Sequence, residues 1–365
     1  MPPRYALNFA TDIEDVRRRT TARMMRGVFR SGNVGSARLP RTGIHRILVC
    51  RSVHTLGDSL TLTPLLAELA DAYPGAEVDI LSGCPVADAL FDTFPNVHAV
   101  YRMPRHVAGH LLATARTLHA VRRKHYDLVI DPDPQSQSGR LLALSAHATF
   151  SLGYVGPKKS GTLTHGVAIP TAIHHKAMTP VYLLRNATGE DPEARPYPQP
   201  GIILSDAELE CGRRTLVRLA PQGPASEPDG PRVGIFANAT RNKLLAGDWW
   251  QAFIEAFRSD LPGCRIVEVL PAFGKSMLDD RFHCYYSSDV RKMAAVIANM
   301  DAFVSADCGV MHLAWATGTP TAGLFNVTNP AEWGPFGPRM GALPLDDATP
   351  AEIAHRTVER LGLRT

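Results

Sequence analysis

The stretch Ser305-Ala-Asp-Cys-Gly-Val-Met-His-Leu-Ala-Trp-Ala-Thr-Gly-Thr-Pro-Thr-Ala-Gly-Leu-Phe325 constrains the fold more than any other part of this chain. An apolar run from Ala302 to Ala306 stops at Asp307-Cys308-Gly309, and from Met311 the apolar spacing turns helical until Gly318 and Pro320 end it. The pattern predicts strand, tight turn, helix, turn and second strand. Such a junction sets a helix N-terminus at the carboxyl end of a strand, where unpaired backbone N–H groups attract phosphate. Gly309 permits close approach, and Asp307 and His312 lie where they could touch a ligand. With the following Asn326-Val-Thr-Asn-Pro-Ala-Glu-Trp-Gly-Pro335, the segment reads as half of a nucleotide-sugar site.

After residue 44 the chain alternates strand and helix patterns. Apolar strand candidates are His45–Arg51, Glu77–Leu81, His98–Tyr101, Leu128–Asp131 and Thr149–Leu152, with helical patterns around Leu60–Tyr73, Ala87–Phe91 and Ala108–Lys124. A second series runs through Arg232–Ala237, Arg265–Leu270, Ala302–Ala306 and Thr321–Phe325. Proline-rich stretches at 191–200 and 220–231 separate the series and have linker composition. Two parallel α/β domains are therefore expected, at 45–190 and 232–345, with a linker region at 191–231 and a C-terminal helix within 346–365. Thr349-Pro-Ala-Glu352 reads as a capped helix start, expected to pack back across the domains. Open α/β sheets bind ligands at the carboxyl ends of strands, so chemistry should sit in a cleft between the two sheets.

A length of 365 residues, 45% hydrophobic and 20% charged, suits two soluble domains. Six scattered cysteines, none in a C-x-x-C pair, indicate neither a disulfide framework nor a zinc knuckle and fit a reducing cytoplasm. No apolar stretch is long enough to span a bilayer, and no secretory signal pattern opens the chain. The formal charge of +4 is unevenly placed: residues 1–44 carry nine arginines against three acids, leaving 30 basic and 32 acidic residues in the remainder. Within this basic extension Ile13, Val16, Thr20, Met24 and Val28 share one helical face. Two readings follow, a helix packed on the main body or one adhering to an anionic membrane surface.

The residues resemble glycosyltransferase family 9, the bacterial heptosyltransferases, over roughly 45–345. The resemblance rests on Gly-Asp-Ser-Leu-Thr-Leu-Thr-Pro-Leu-Leu (57–66), Tyr-Asp-Leu-Val-Ile-Asp (126–131), the Asn238–Lys243 turn and the Asp307–Thr328 block. It implies a GT-B-type α/β fold, two Rossmann-like doubly wound domains facing a central cleft. It also implies an inverting, metal-independent transfer of heptose from ADP-heptose to an acceptor hydroxyl, the acceptor belonging to the lipopolysaccharide inner core. The expected partners are the nucleotide-sugar donor as co-substrate, a lipid-linked or glycan acceptor and an anionic membrane surface, with no cofactor, metal or nucleic acid. The expected location is the cytoplasm, peripheral to the inner membrane. Transfer to a protein acceptor, nucleotide-sugar epimerisation and non-catalytic sugar-nucleotide binding are the alternatives. A Rossmann dehydrogenase is disfavoured because no G-x-G-x-x-G follows the first strand.

Asp58 matches the family's Gly-Asp motif, which implies the base that takes a proton from the acceptor hydroxyl. From its residues alone, a helix cap ahead of Thr61-Leu-Thr-Pro64 is the stronger reading. Lys243 matches the family's lysine in a turn after an apolar strand, where a cation helps a diphosphate depart. Thr240 and Arg241 flank it, each open to a phosphate or a solvated-loop role. Asp307, Gly309 and His312 match an Asp-Ser/Thr-Gly-x-x-His pattern for donor binding, with Cys308 in place of the hydroxyl residue. Gly57 and Ser59, beside Asp58, are assigned to the acceptor, as are Arg102, Arg105, Lys158 and Lys159, which could meet acceptor phosphates. Where many family members carry an acid after a Leu-Pro turn, this chain reads Leu270-Pro-Ala-Phe-Gly-Lys275. His174-His175 lacks a third ligand at metal spacing, and Asp131-Pro-Asp133 reads equally as a strand-end turn or an acidic site.

Overall fold

The structure is a computed structural model, and it describes residues 38–105, 109–156, 159, 161–219 and 230–363. The basic extension to residue 37 and Lys158 lie outside the described residues, so the two readings of the extension and the assignment of Lys158 carry no structural account. The amino-terminal sheet contains β1 (Arg46–Arg51), β2 (Glu77–Ser82), β3 (Val97–Arg102), β4 (His125–Asp131), β5 (His147–Val155) and β6 (His165–Ala168). The second contains β7 (Arg232–Phe236), β8 (Arg265–Val269), β9 (His283–Tyr285), β10 (Ala302–Ala306), β11 (Thr321–Phe325) and β12 (Gly341–Pro344).

Every ladder is parallel. The strand orders are β3-β2-β1-β4-β5-β6 and β12-β11-β10-β7-β8-β9. Numbered from its own first strand, each sheet has the same doubly wound order, which reverses direction between its first and fourth strands. Those switch points fall between β1 and β4 and between β7 and β10. Parallel strands covered on both faces need near-continuous apolar runs, and the central strands supply them: Ile47, Leu48, Val49, Val233, Ile235, Phe303 and Val304 are fully buried. Each such side chain contributes roughly 1.5–3 kcal/mol through burial.

Helices α1 (Leu56–Leu60), α2 (Thr63–Ala72), α3 (Ala87–Phe91), α4 (Leu111–Arg122), α5 (Gln137–Ser145) and α6 (Thr179–Thr188) belong to the first half. Helices α7 (Asp206–Leu219), α8 (Gly247–Asp260), α9 (Val290–Ile297), α10 (Gly309–Ala316), α11 (Pro330–Trp333) and α12 (Pro350–Arg360) follow. The helical pattern over Leu60–Tyr73 corresponds to α2, which starts at Thr63 with Pro64 in its first turn, while the short α1 ends at Leu60 just ahead of it. The interval taken as linker holds α7, whose Gly212 lies so close to the Ala295 carbonyl of α9 that a Cβ would stand 2.1 Å from the oxygen. Thr349 and Glu352 form the expected capping box on α12. That helix packs on α8 and β12 within the second domain, however, not across the two domains.

Several bonds fix the domains against each other. From α9, Arg291 donates to the Ala89 carbonyl of α3 at 2.9 Å and pairs with Glu208 of α7 at 2.6 Å. His175, before α6, bonds the Gly334 carbonyl at 2.9 Å through Nε2, and its Nδ1 accepts from the Ala177 N–H at 3.1 Å. Those contacts fix a neutral tautomer, and burial lowers the pKa of this ring.

Candidate active site

The strand-end motifs meet. Asp58 lies in α1, directly after β1, and Gly309 opens α10, directly after β10. A Cβ on Gly57 would stand 2.5 Å from Cδ2 of His312, and one on Gly309 would stand 3.1 Å from Cβ of Leu56. The close approach of the first-domain helix to the second-domain helix leaves no room for a Cβ at Gly57 unless His312 shifts, and little room at Gly309.

On the first-domain side, Thr55 caps α1, accepting from the Asp58 N–H and donating to Asp58 Oδ2 at 2.5 Å. Arg51, at the end of β1 and 4% exposed, lies 3.6 Å from both Asp58 Oδ1 and Asp133 Oδ2. Asp133 also accepts from the Gln135 and Ser136 N–H groups. Burial pushes its carboxyl up, but Arg51 and these backbone donors outweigh it and hold it below the usual carboxylate range. Asp131-Pro-Asp133 is thus a turn and an acidic site at once. Asp131 itself is fully buried and takes Arg140 at 3.0 Å and Lys159 at 2.7 Å.

On the second-domain side, Asp307 Oδ2 accepts from Lys243 Nζ at 2.7 Å and from the hydroxyl of Thr328. Lys243 ends a short turn, Arg241–Lys243, in which Arg241 adopts the left-handed region at φ 57°. Such a conformation is costly for a non-glycine residue and persists where surroundings over-determine it. Thr240 and Arg241 are exposed on this turn, and Asn326 donates to the Asn242 carbonyl at 3.2 Å. The residue capping α10 is Cys308, not Asp307; no side-chain oxygen caps the helix, and its Val310 and Met311 N–H groups face only the Cys308 sulfur, a weak acceptor that a phosphate oxygen can displace. The Cys308 thiol is pushed up by burial and contacts the Ser305 hydroxyl. His312 is 3% exposed, and its Nδ1 finds no partner among the described residues. Burial lowers its pKa to about 4, against the pull of Asp307 and Asp58 and with smaller contributions from His175 and Lys243. It is a neutral imidazole at pH 7.

The structure therefore brings together Gly57, Asp58, Lys243, Asp307, Cys308, Gly309 and His312, with Thr240 and Arg241 on the adjoining turn. It does not bring the full acceptor set with them. Ser59 is fully buried and donates to the Thr55 carbonyl at 2.8 Å, so it stabilises α1 instead of facing the cleft. Gly57 packs beneath His312. Lys159, assigned to acceptor phosphates, instead has a side chain that is 0% exposed and turns inward to Asp131 and the Ser136 carbonyl. Arg102 is exposed and pairs with Asp88 at 3.2 Å, two strands from Asp58, with exposed Arg105 just beyond it. Arg51, Thr55 and Thr328 are site residues that the sequence does not single out, whereas Asp133 stood there as one alternative of the Asp131-Pro-Asp133 turn. A charged residue closing an apolar strand was the available signal for Arg51. His174-His175 is no metal site in the described structure, since His175 is spent on backbone bonds. Among the described residues no group of three or more His, Cys, Asp or Glu gathers as metal ligands.

Solved structures share this architecture. A glycosyl transferase family 9 protein from Veillonella parvula aligns with TM-score 0.66 at 17% identity, covering 86% of this chain and 88% of that one. The E. coli heptosyltransferase WaaC with ADP aligns at 0.65 and 19% identity, covering 86% and 99%. E. coli ADP-heptose lps heptosyltransferase II aligns at 0.62 and 18%, covering 87% and 98%. The fold is that of the GT-B glycosyltransferases, two doubly wound domains facing a cleft. The family model of glycosyltransferase family 9 (heptosyltransferase) matches residues 288–359, from α9 through α12 and including the Asp307–His312 motif. Over those residues the chain is similar to that family. Comparison with curated proteins gave no match.

Proposed function

We propose that this protein is a family 9 glycosyltransferase that moves heptose from ADP-heptose to an acceptor hydroxyl with inversion, and that the acceptor is a lipid-linked glycan of the lipopolysaccharide inner core type. The observation that carries the reading is the contact between α1 and α10. It sets a carboxylate from one domain opposite a lysine and a helix N-terminus that no side-chain oxygen caps, both from the other. Asp58 takes the proton from the acceptor hydroxyl as its oxygen attacks the anomeric carbon. The C1–O bond to the diphosphate breaks on the opposite face, and the sugar inverts. The departing diphosphate gains charge, which Lys243 and the first N–H groups of α10 stabilise. Asp307 and Thr328 hold Lys243 in place, and the neutral His312 can donate or accept one hydrogen bond to the sugar or phosphate.

The relatives named as binding ADP and acting in lps synthesis support the choice of donor and acceptor. This assignment gives leaving-group charge to Lys243 and backbone donors, with no metal or other cofactor, at a cytoplasmic site beside the inner membrane. Among the described residues no helix is long and apolar enough to cross a membrane. Product analysis with ADP-heptose and a heptose-free core acceptor tests the reading, with and without EDTA. A β-to-α or α-to-β change at the anomeric carbon, unaffected by EDTA, is expected. Release of an altered free sugar nucleotide, or activity lost to EDTA and restored by magnesium, overturns it.

A further inference from the structure

Helix α4 presents the wrong face to solvent for a helix that merely covers a sheet. Its first two residues, Leu111 and Leu112, are 66% and 78% exposed, more than any other large apolar side chain among the described residues. Only Thr114 and Val121 of this helix are buried. Positions 112, 115, 116, 119, 122 and 123 recur at helical spacing, and all are exposed. That outward face carries Leu112, Arg116, His119, Arg122 and Arg123, so apolar tip and basic flank lie together.

The charge pattern of the region is one-sided. Residues 102–126 contain six Lys and Arg and no Asp or Glu. Three of the six are committed: Arg102 to Asp88, Lys124 to Asp79, and Arg122 to the Ser145 carbonyl. Arg105, Arg116 and Arg123 form no ion pair among the described residues. A solvated helix face ordinarily mixes both signs and spares its bulky apolar side chains from water, whereas an interfacial helix combines exposed Leu with Arg. Because α4 follows β3, its Leu111-Leu112 end lies at the carboxyl edge of the first sheet, the edge that also carries Asp58.

We infer that the Leu111-Leu112 tip and the arginines of α4 form a docking surface for an anionic lipid bilayer. The two leucines insert at the headgroup boundary, and Arg105, Arg116 and Arg123 face the negative surface. The inference stands on this surface and does not depend on the sugar chemistry. Adhesion by the basic extension at residues 1–44 is a separate idea, because it places no apolar side chain of α4 in lipid.

The full-length chain is tested with phosphatidylcholine vesicles with and without about one-third phosphatidylglycerol. Wild type should sediment with the anionic vesicles and release as salt rises. The Leu111→Ser/Leu112→Ser double variant should partition roughly tenfold or more weaker, since two buried leucine side chains are lost from the contact. Both positions are exposed, and an unchanged thermal melt confirms the fold. The added emission of the Leu112→Trp variant, read against wild type, should be quenched by brominated lipid. Unchanged partitioning of the double variant, or an added emission that stays unquenched when the Leu112→Trp protein is bound, overturns the inference. Either result would leave binding to the extension alone, or this face to a protein partner.

Discussion

The two sheets share one strand order, yet their carboxyl edges are wired differently. At the switch point of the first, Arg51 spans Asp58 and Asp133, and Arg140 and Lys159 converge on Asp131. At the switch point of the second, the ion pair of Lys243 with Asp307 stands beside a helix start that no side-chain oxygen caps. Charges on the first edge satisfy one another, which fixes a carboxylate in place while leaving little net attraction for an anion. On the second edge the backbone donors of α10 meet only the sulfur of Cys308, a weak acceptor, so an incoming phosphate can take them. One edge is built to hold a base and the other to receive a leaving group.

The strongest way to break that contrast is at Asp58. Asp58→Asn keeps the shape and the Thr55 contact but removes the proton acceptor. Turnover should fall roughly 10²–10⁴-fold, the usual range for a positioned base. ADP affinity by calorimetry should be unchanged, because donor contacts belong to the other edge. A parallel loss of ADP binding would show that the edges do not divide the work.

Lys243→Ala probes the opposite edge and should act on both quantities. Donor affinity should weaken and turnover fall by about 10², the scale of losing one preorganised donor to a developing negative charge. Asp307, 4% exposed, would keep Thr328 as a partner but lose its cation. Some loss of thermal stability should therefore accompany the kinetic defect. Steady-state kinetics together with a melt separates these effects. A variant with normal donor kinetics would reduce Lys243 to a structural partner of Asp307.

The central architecture was legible because fully buried parallel strands need apolar runs that differ from everything around them. The unread strands were β6, β9 and β12, each three or four residues long and at or near a sheet edge, where a short run carries too little periodicity to stand out. The second-domain half of the site was legible for a related reason. Asp307, Gly309 and His312 lie within six consecutive residues, so one motif holds them all. The first-domain half depends on residues far apart in the chain. Nothing in Arg51 or Asp133 alone says that a guanidinium will bridge Asp133 to Asp58. Lys159 and Ser59 were misplaced because a motif fixes position along the chain and leaves side-chain direction to packing.

The smallest expected effect concerns the seam between the edges, where His312 packs against Gly57. Its pKa of about 4 in the folded protein lies below the usual value of 6.5, with burial as the main cause. Asp307 and Asp58 oppose that shift, and Lys243 and His175 reinforce it. Between those values the unfolded chain binds a proton that the folded one refuses, so stability rises with pH across this window and is lost as pH falls through it. From pH 7 to pH 5 the loss from this one group should be about 2 kcal/mol. Urea unfolding of wild type and His312→Gln at both pH values isolates it: the variant should lack that part of the acid sensitivity, whatever its stability at pH 7. Equal pH dependence in the two proteins would mean that the imidazole gains a proton without cost, and that the α1–α10 seam admits water where the structure shows packed side chains.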